Sequence, residues 1–187
     1  MIYLVRHGLD DEKYIGGWSN VSLVPEGVDQ INKTAKSLLS MNIKLEKIYT
    51  SDLPRAVQSA EILQNYFGIN YEATSTLREL NKGDFNGILK IHMPEEWQNI
   101  NCAYQKYPNG ESLVTFEKRI RGELIPKLEE FNNCLLVTHR GVINMLYSIY
   151  NDSIRFFDKE KCDVNHASVH ELDLKKESII KLSRTIK

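Results

Sequence analysis

The chain has 187 residues, 42% hydrophobic and 26% charged, a size at which one globular domain buries about 70% of the surface its unfolded form exposes. Twenty-four basic against 25 acidic residues leave a net charge of −1 with no polybasic block, so neither nucleic acid nor a membrane surface is an expected partner. No apolar stretch nears the roughly 20 residues of a membrane span, and the first residues lack the basic region and cleavage site of a signal peptide.

Met1-Ile2-Tyr3-Leu4-Val5 is a short branched apolar run that predicts a buried strand, and it ends on Arg6-His7-Gly8. Pro25-Glu26-Gly27 starts a predicted helix over 26–41, with Val28, Ile31, Ala35, Leu38 and Leu39 at helical spacing. Lys47-Ile48-Tyr49-Thr50 predicts a second strand. Ser51 or Asp52 can cap a helix beginning near Leu53-Pro54, with Ala56, Ala60, Leu63 and Phe67 on one face and Gly68 as its stop. Residues 81–110 fit no regular element and read as a cap or lid segment. A third helix is predicted from Ser112 to about Phe131. Cys134-Leu135-Leu136-Val137-Thr138 is the most strand-like run and ends at His139, followed by a helix from Val142 to Tyr150 and short strands over 167–172 and 178–182. Strands alternating with helices predict one α/β domain over 1–187, a three-layer α/β/α sandwich with a mostly parallel central sheet. Cys102, Cys134 and Cys162 are odd in number and widely spaced, which predicts a reducing cytoplasm and neither a disulfide framework nor a zinc site.

Three strand ends carry chemistry: Arg6-His7-Gly8, Ser51-Asp52 leading to Arg55, and His139-Arg140-Gly141. In parallel sheets ligands bind at the carboxyl ends of the strands, where these three groups can converge. Two histidines and two arginines around one crevice make a cationic pocket in a nearly neutral protein. Arginine pairs with phosphate oxygens in planar, charge-assisted contacts, and the helix after His139 would aim free N–H groups at the same place. Phosphate recognition follows from such a set.

The ordered set Arg6-His7-Gly8, Ser51-Asp52-Leu53-Pro54-Arg55-Ala56-Val57-Gln58-Ser59-Ala60, Leu77-Arg78-Glu79-Leu80 and Val137-Thr138-His139 resembles the histidine phosphatase superfamily, also called phosphoglycerate-mutase-like, over nearly the whole chain. Gly17-Trp18 with Leu23-Val24-Pro25-Glu26-Gly27, and Gly110-Glu111-Ser112, look like further signatures. The resemblance implies a metal-independent and cofactor-free phosphomonoesterase, of the compact phosphatase branch, acting on a small phosphorylated metabolite. His7 would be the nucleophile forming a phosphohistidine. Arg6, Arg55 and His139 would hold the phosphoryl oxygens, Gly17 would line the substrate site, and Glu79 would act as general acid and then base. A bisphosphoglycerate-dependent mutase, an α-ribazole or sugar-phosphate phosphatase, and a non-catalytic phosphate-binding module are the alternatives.

The pattern departs from the family's at several places. The phosphate-contacting asparagine of the mutases has no counterpart, with Lys13 as the nearest candidate. Leu9-Asp10 stand where a Glu-Thr or Glu-Ser pair is commoner, Phe85 where tryptophan is, and Arg140 where a glycine is. Arg140 facing the crevice would imply a highly anionic substrate; facing away it would be an ordinary surface residue. The residues alone allow bland readings for the rest. Glu79 could pair with Arg78 or Lys82 at the surface. His92, His166 and His170 read as bystanders, and Trp18, Trp97 and Tyr104 as packing residues, although Trp97 in the cap could touch ligand. The sequence leaves oligomeric state and the physiological substrate open.

Overall fold

The computed structural model describes residues 1–98, 102–151 and 163–182; Cys162 lies outside them. The elements in order are β1 (Ile2–Arg6), α1 (Pro25–Ser40), β2 (Lys47–Ser51), α2 (Pro54–Phe67), β3 (Tyr71–Thr74), the short α3 (Glu95–Gln98), α4 (Leu113–Arg119), β4 (Cys134–Thr138), α5 (Arg140–Tyr150), β5 (Val169–Asp173) and β6 (Ser178–Lys181). The strands form one sheet in the order β3-β2-β4-β1-β5-β6. β1 to β4 run parallel, while β5 is antiparallel to both β1 and β6. The sheet is therefore mixed, a parallel body with a hairpin along one edge. No helix among the described residues is long and apolar enough to cross a membrane.

Strand alternation builds two cores, one on each face of the sheet. Ile2, Leu4 and Leu136 point to the face covered by α4, its continuation and α5, where Phe116, Ile120, Leu124, Val142 and Leu146 are buried. Val5, Ile48, Leu135 and Val137 point the other way, against Ile31, Ala35 and Leu38 of α1 and Ala56, Ala60 and Leu63 of α2. Each fully buried Leu, Ile or Phe contributes about 1.5–3 kcal/mol. These two layers are the three-layer α/β/α arrangement expected from the pattern of elements.

Three local differences from the sequence reading have physical causes. β3 was absent from it because Tyr71-Glu72-Ala73-Thr74 is a half-exposed edge strand, formed by pairing with β2 rather than by apolar content. Neither Ser51 nor Asp52 caps α2. Leu53 holds the cap position ahead of Pro54 without a side-chain bond, and Asp52 instead accepts two bonds from Arg78, each 2.6 Å. The helix expected from Ser112 to Phe131 starts with a capping box between Ser112 and Thr115, but only Leu113–Arg119 is α-helical. A π-helical turn (Ile120–Leu124) and a 3-10 turn (Ile125–Lys127) follow. Pro126 lacks the N–H that an α-helix would donate to Gly122, so the ladder widens and then tightens around it.

A candidate phosphoryl-transfer site at the strand ends

β2, β4 and β1 are neighbours in the sheet, so their carboxyl ends deliver Ser51, Thr138 and Arg6 to one edge. His7 follows β1 directly, its N–H donating to Thr138 O (3.0 Å) and its carbonyl accepting from Ala167 N (3.2 Å). The backbone here is crowded. A Cβ on Gly8 would stand 2.3 Å from Gly27 O, so only glycine lets the His7 loop pass under the start of α1.

The His7 ring is 4% exposed. Its Nδ1 lies 2.7 Å from Gly8 O. A carbonyl oxygen only accepts, so Nδ1 carries the proton and Nε2 keeps its lone pair. Burial, then the positive charges of Arg55 and Arg6 and the neighbouring His139, hold the imidazole well below its ordinary range and keep it neutral. His139, the N-cap residue of α5, is fully buried with its ring centroid 5.1 Å from that of His7. Neither of its ring nitrogens has a hydrogen-bond partner among the described residues. Burial, Arg55 and Arg6 depress it in the same way.

Arg55 is 2% exposed and fixed on several sides. Its Nε donates toward His7 Nε2 at 3.3 Å, Nη1 to Ser19 O and Oγ at 3.3 Å each, and Nη2 to Gly17 O at 2.8 Å. Gly17 sits at φ +63°, and a Cβ there would meet Asn86 Oδ1 at 2.3 Å. Its role in the site is thus a carbonyl that aims Arg55. Arg6 donates Nη1 to Val164 O at 2.9 Å and Nη2 to His166 Nε2 at 2.5 Å, while its Nε has no partner among the described residues. Burial and the charge of Arg140 pull Arg6 down to about 10, which leaves it a cation at neutral pH.

Glu79 is not the surface carboxylate of the bland reading. Its Oε1 accepts from Leu80 N (2.8 Å) and its Oε2 from Gly141 N in the first turn of α5 (3.0 Å). The N–H at the start of α5 is thus spent on this carboxylate rather than left free for a ligand. The Glu79 carbonyl accepts from Trp18 Nε1 (2.6 Å) and Arg119 Nη2 (3.0 Å), and the Arg78 guanidinium lies over the Trp18 ring. Thr138 Oγ1 donates to Leu77 O at 2.8 Å, which ties this segment to the end of β4.

Arg6, His7, Gly17, Arg55, Glu79 and Arg140 help to line a cavity of about 330 Å³, while His139 is buried beside His7 and is not part of that lining. Arg140 faces the crevice. Lys13 does not: it is exposed, sits in a turn through its backbone, and is replaced in the wall by Lys82 and Lys90. His92 is exposed, and His170 is buried elsewhere between Tyr147 and Ser168.

Sequence reasoning missed Asp10 and His166. His166 is not a bystander, because its ring packs edge-on against His7 at 5.6 Å and accepts from Arg6. Asp10 Oδ2 is 3.4 Å from Arg55 Nε, and Oδ1 is 3.7 Å from His166 Nε2. Burial works against the charge of Asp10, but His166, His7 and Arg55 outweigh it and hold the carboxyl down to about 2. The only signal for either residue was Asp10's closeness to His7 in the chain. His7, Asp10 and His166 bring ligand atoms within 4.8 Å of one another, the spacing of a metal site. The fit fails on charge: Arg6 and Arg55 already face the two imidazole lone pairs that a divalent ion would need.

The family model for the histidine phosphatase superfamily (branch 1) matches residues 2–185. Human 6-phosphofructo-2-kinase/fructose-2,6-bisphosphatase 1 is 31% identical over 160 residues, covering 81% of this chain and 32% of its own length. The chain therefore spans about a third of the curated relatives it matches. Among solved structures, a putative α-ribazole-5′-P phosphatase from Escherichia coli superposes with a TM-score of 0.78 at 19% identity, covering 97% of this chain and 93% of that one. A phosphoglycerate mutase from Thermus thermophilus gives 0.71 at 24% identity, covering 98% and 99%. These likenesses establish the fold.

Proposed function

Because this chain belongs to branch 1 of the histidine phosphatase superfamily, we propose that it is a metal-independent phosphomonoesterase working through a phosphohistidine on His7. His7 Nε2 attacks phosphorus as the bond to the ester oxygen breaks. Glu79 gives a proton to the departing alcohol, then takes one from the water that attacks the phosphohistidine and releases inorganic phosphate. Arg6 and Arg55 face the equatorial oxygens and offset their charge, and neutral His139 donates its one N–H to them, so no divalent ion is needed. The Nδ1–H bond to Gly8 O orients the nucleophile and, as the ring becomes positively charged, strengthens. Residues 81–110 serve as the cap over the site.

The observation that carries this reading is the unspent donor capacity around the His7 lone pair. Among the described residues, the Nε of Arg6, which borders the cationic cavity, and both ring nitrogens of buried His139, whose ring lies 5.1 Å from that of His7, lack partners. Buried polar groups normally find partners, and a bound anion would accept from the Arg6 Nε–H and from the one N–H of neutral His139. The test is hydrolysis of a chromogenic monoester in the presence of chelator, with acid-labile phosphate trapped on wild type and absent from His7→Ala. Binding of phosphoesters without hydrolysis or trapping would instead mark a phosphate-binding module. Phosphoglycerate isomerisation that needs a bisphosphate primer would mark a mutase. Lys82, Lys90 and Arg140 at the mouth, with the similarity to a fructose-2,6-bisphosphatase, favour a second reading in which the substrate is a sugar carrying two phosphates.

A further inference from the structure

Beside the catalytic cavity lies a second one of about 260 Å³, lined by Ile15, Gly16, Lys82, Lys90, Met93, Trp97 and Tyr107. Gly16, Lys82 and Lys90 border both spaces, so the smaller cavity opens off the larger as an annex. Its far walls are apolar. Ile15, Met93 and Tyr107 are a buried cluster against which Leu80, Phe85, Ile88 and Trp97 pack. Trp97 and Tyr107 are stacked at 5.4 Å and 30°, and Phe85 meets Trp97 at 5.5 Å. Segments distant in sequence meet here. The Ile15 backbone exchanges hydrogen bonds with Gly87 and Ile88, each 2.8 Å, and Asp84 N donates to Pro108 O.

From this arrangement we infer that the annex receives the alcohol half of the substrate, and that the substrate is a phosphomonoester whose alcohol carries a flat apolar ring with an acidic substituent. This inference rests on the proposed phosphatase reading and narrows it. The phosphoryl group is confined to the His7 end by Arg6, Arg55 and His139, so the alcohol must leave toward Glu79, Lys82 and the shared wall. A cavity of about 150 Å³ lined by apolar side chains holds a benzene ring; this one is larger and suits a bicyclic ring lying on the Trp97–Tyr107 stack. Lys82 and Lys90 line both the ring and the phosphoryl spaces, and their positive charge matches a carboxylate or second phosphate on the ring. A plain polyol would leave the aromatic wall unused.

The test compares kcat and KM for 2-naphthyl phosphate, its 6-carboxy analogue, glycerol 1-phosphate and glucose 6-phosphate. The expected order places the carboxynaphthyl ester lowest in KM, at least tenfold below the two polyol phosphates. Trp97→Ala should raise KM for both naphthyl esters about tenfold while leaving kcat and the polyol values near wild type. Met93→Trp, which fills the annex instead of emptying it, should do the same, so a folding defect in either variant alone does not decide the matter. Lys90→Ala should raise KM for the carboxynaphthyl ester about tenfold more than for the plain naphthyl ester, which erases the advantage of the carboxylate. Equal KM values across the four probes, or a preference for the polyols that the annex variants leave untouched, would overturn the inference and leave the phosphatase reading standing. Failure to hydrolyse any probe would overturn the phosphatase reading itself.

Discussion

Gly141→Ala is a one-methyl test of the assignment of Glu79. An ideal Cβ at Gly141 would lie 2.0 Å from Glu79 Oε1, 2.9 Å from Cδ and 3.3 Å from Oε2. Ordinary carbon–oxygen contact needs more than a further ångström, and the carboxylate is the flexible partner, so Glu79 swings away while α5 stays. The swing gives up the bond from Gly141 N, and a hydrogen bond to a charged group is worth about 1.5–3 kcal/mol. Replacing glycine by alanine within a helix returns about 1 kcal/mol, so net destabilisation should be only about 0.5–2 kcal/mol. Catalysis should suffer far more. Displacing a reacting group by about 1 Å costs roughly a hundredfold, and general acid–base help is worth about 10²–10⁴. We expect kcat of Gly141→Ala to fall by about 10²–10³ on a monoester with a poor leaving group, with thermal unfolding lowered by a few degrees. The Gly141→Ala/Glu79→Gln double variant should be no slower than Glu79→Gln alone, because both remove the same function. Activity within threefold of wild type, or losses that multiply in the double variant, would refute the role of Glu79.

Three further outcomes follow from the same geometry. Asp10→Asn removes a carboxylate that competes with phosphate for Arg55 and should tighten inhibition by inorganic phosphate about tenfold; an unchanged inhibition constant would show that Asp10 does not face the bound anion. Burial, with the charge of Lys181, pushes His170 down to about 4 against an ordinary 6.5. The unfolded chain therefore takes up the proton first, and this contribution to stability is complete above about pH 6.5 and lost as pH falls toward 4. The cost is about 2 kcal/mol at pH 5, and His7 and His139 add to it with the same sign. Urea unfolding of His170→Gln between pH 7.5 and 5 should show a correspondingly smaller drop than wild type, and an equal drop would count against this account. A Cβ at Gly83 (φ +55°) would meet Pro108 O at 1.8 Å and Gly110 N at 2.6 Å, backbone atoms with no side chain to yield. Gly83→Ala should make residues 81–110 protease-sensitive, and unchanged proteolysis would contradict the packing described for that segment.

The alternating strands and the residues gathered at their ends were legible because β1, β2 and β4 are buried runs that stop on charged or polar residues. Apolar content announces such strands directly. β3 was not legible, since an edge strand borrows its order from β2. The break in the helix after Arg119 was readable in principle from Pro126, whose effect on a ladder is local. His7, Arg55 and His139 emerged as a set from strand ends. Glu79 emerged only through resemblance, because its position depends on Gly141, a contact across 62 residues that no local pattern encodes. His166 and Asp10 were invisible for the same reason, one near the last strands and the other just past the first. The annex is further still from sequence, its wall assembled from residues near 15, 93, 97 and 107.

One guanidinium joins the start and the end of the 81–111 segment. Arg119 grips Glu111 with Nε (2.7 Å) and Nη2 (3.1 Å), and reaches the carbonyls of Arg78 and Glu79 with its other hydrogens. Asn81 and Glu111 are bonded to each other as well, at 2.8 Å through both backbone and carboxylate. The two ends of the 81–111 segment are thus held together by Arg119 and by the Asn81–Glu111 pair. A different segment grafted between those two ends would leave Glu79 in place, since its carbonyl and carboxylate are held by Trp18, Arg119, Leu80 and Gly141.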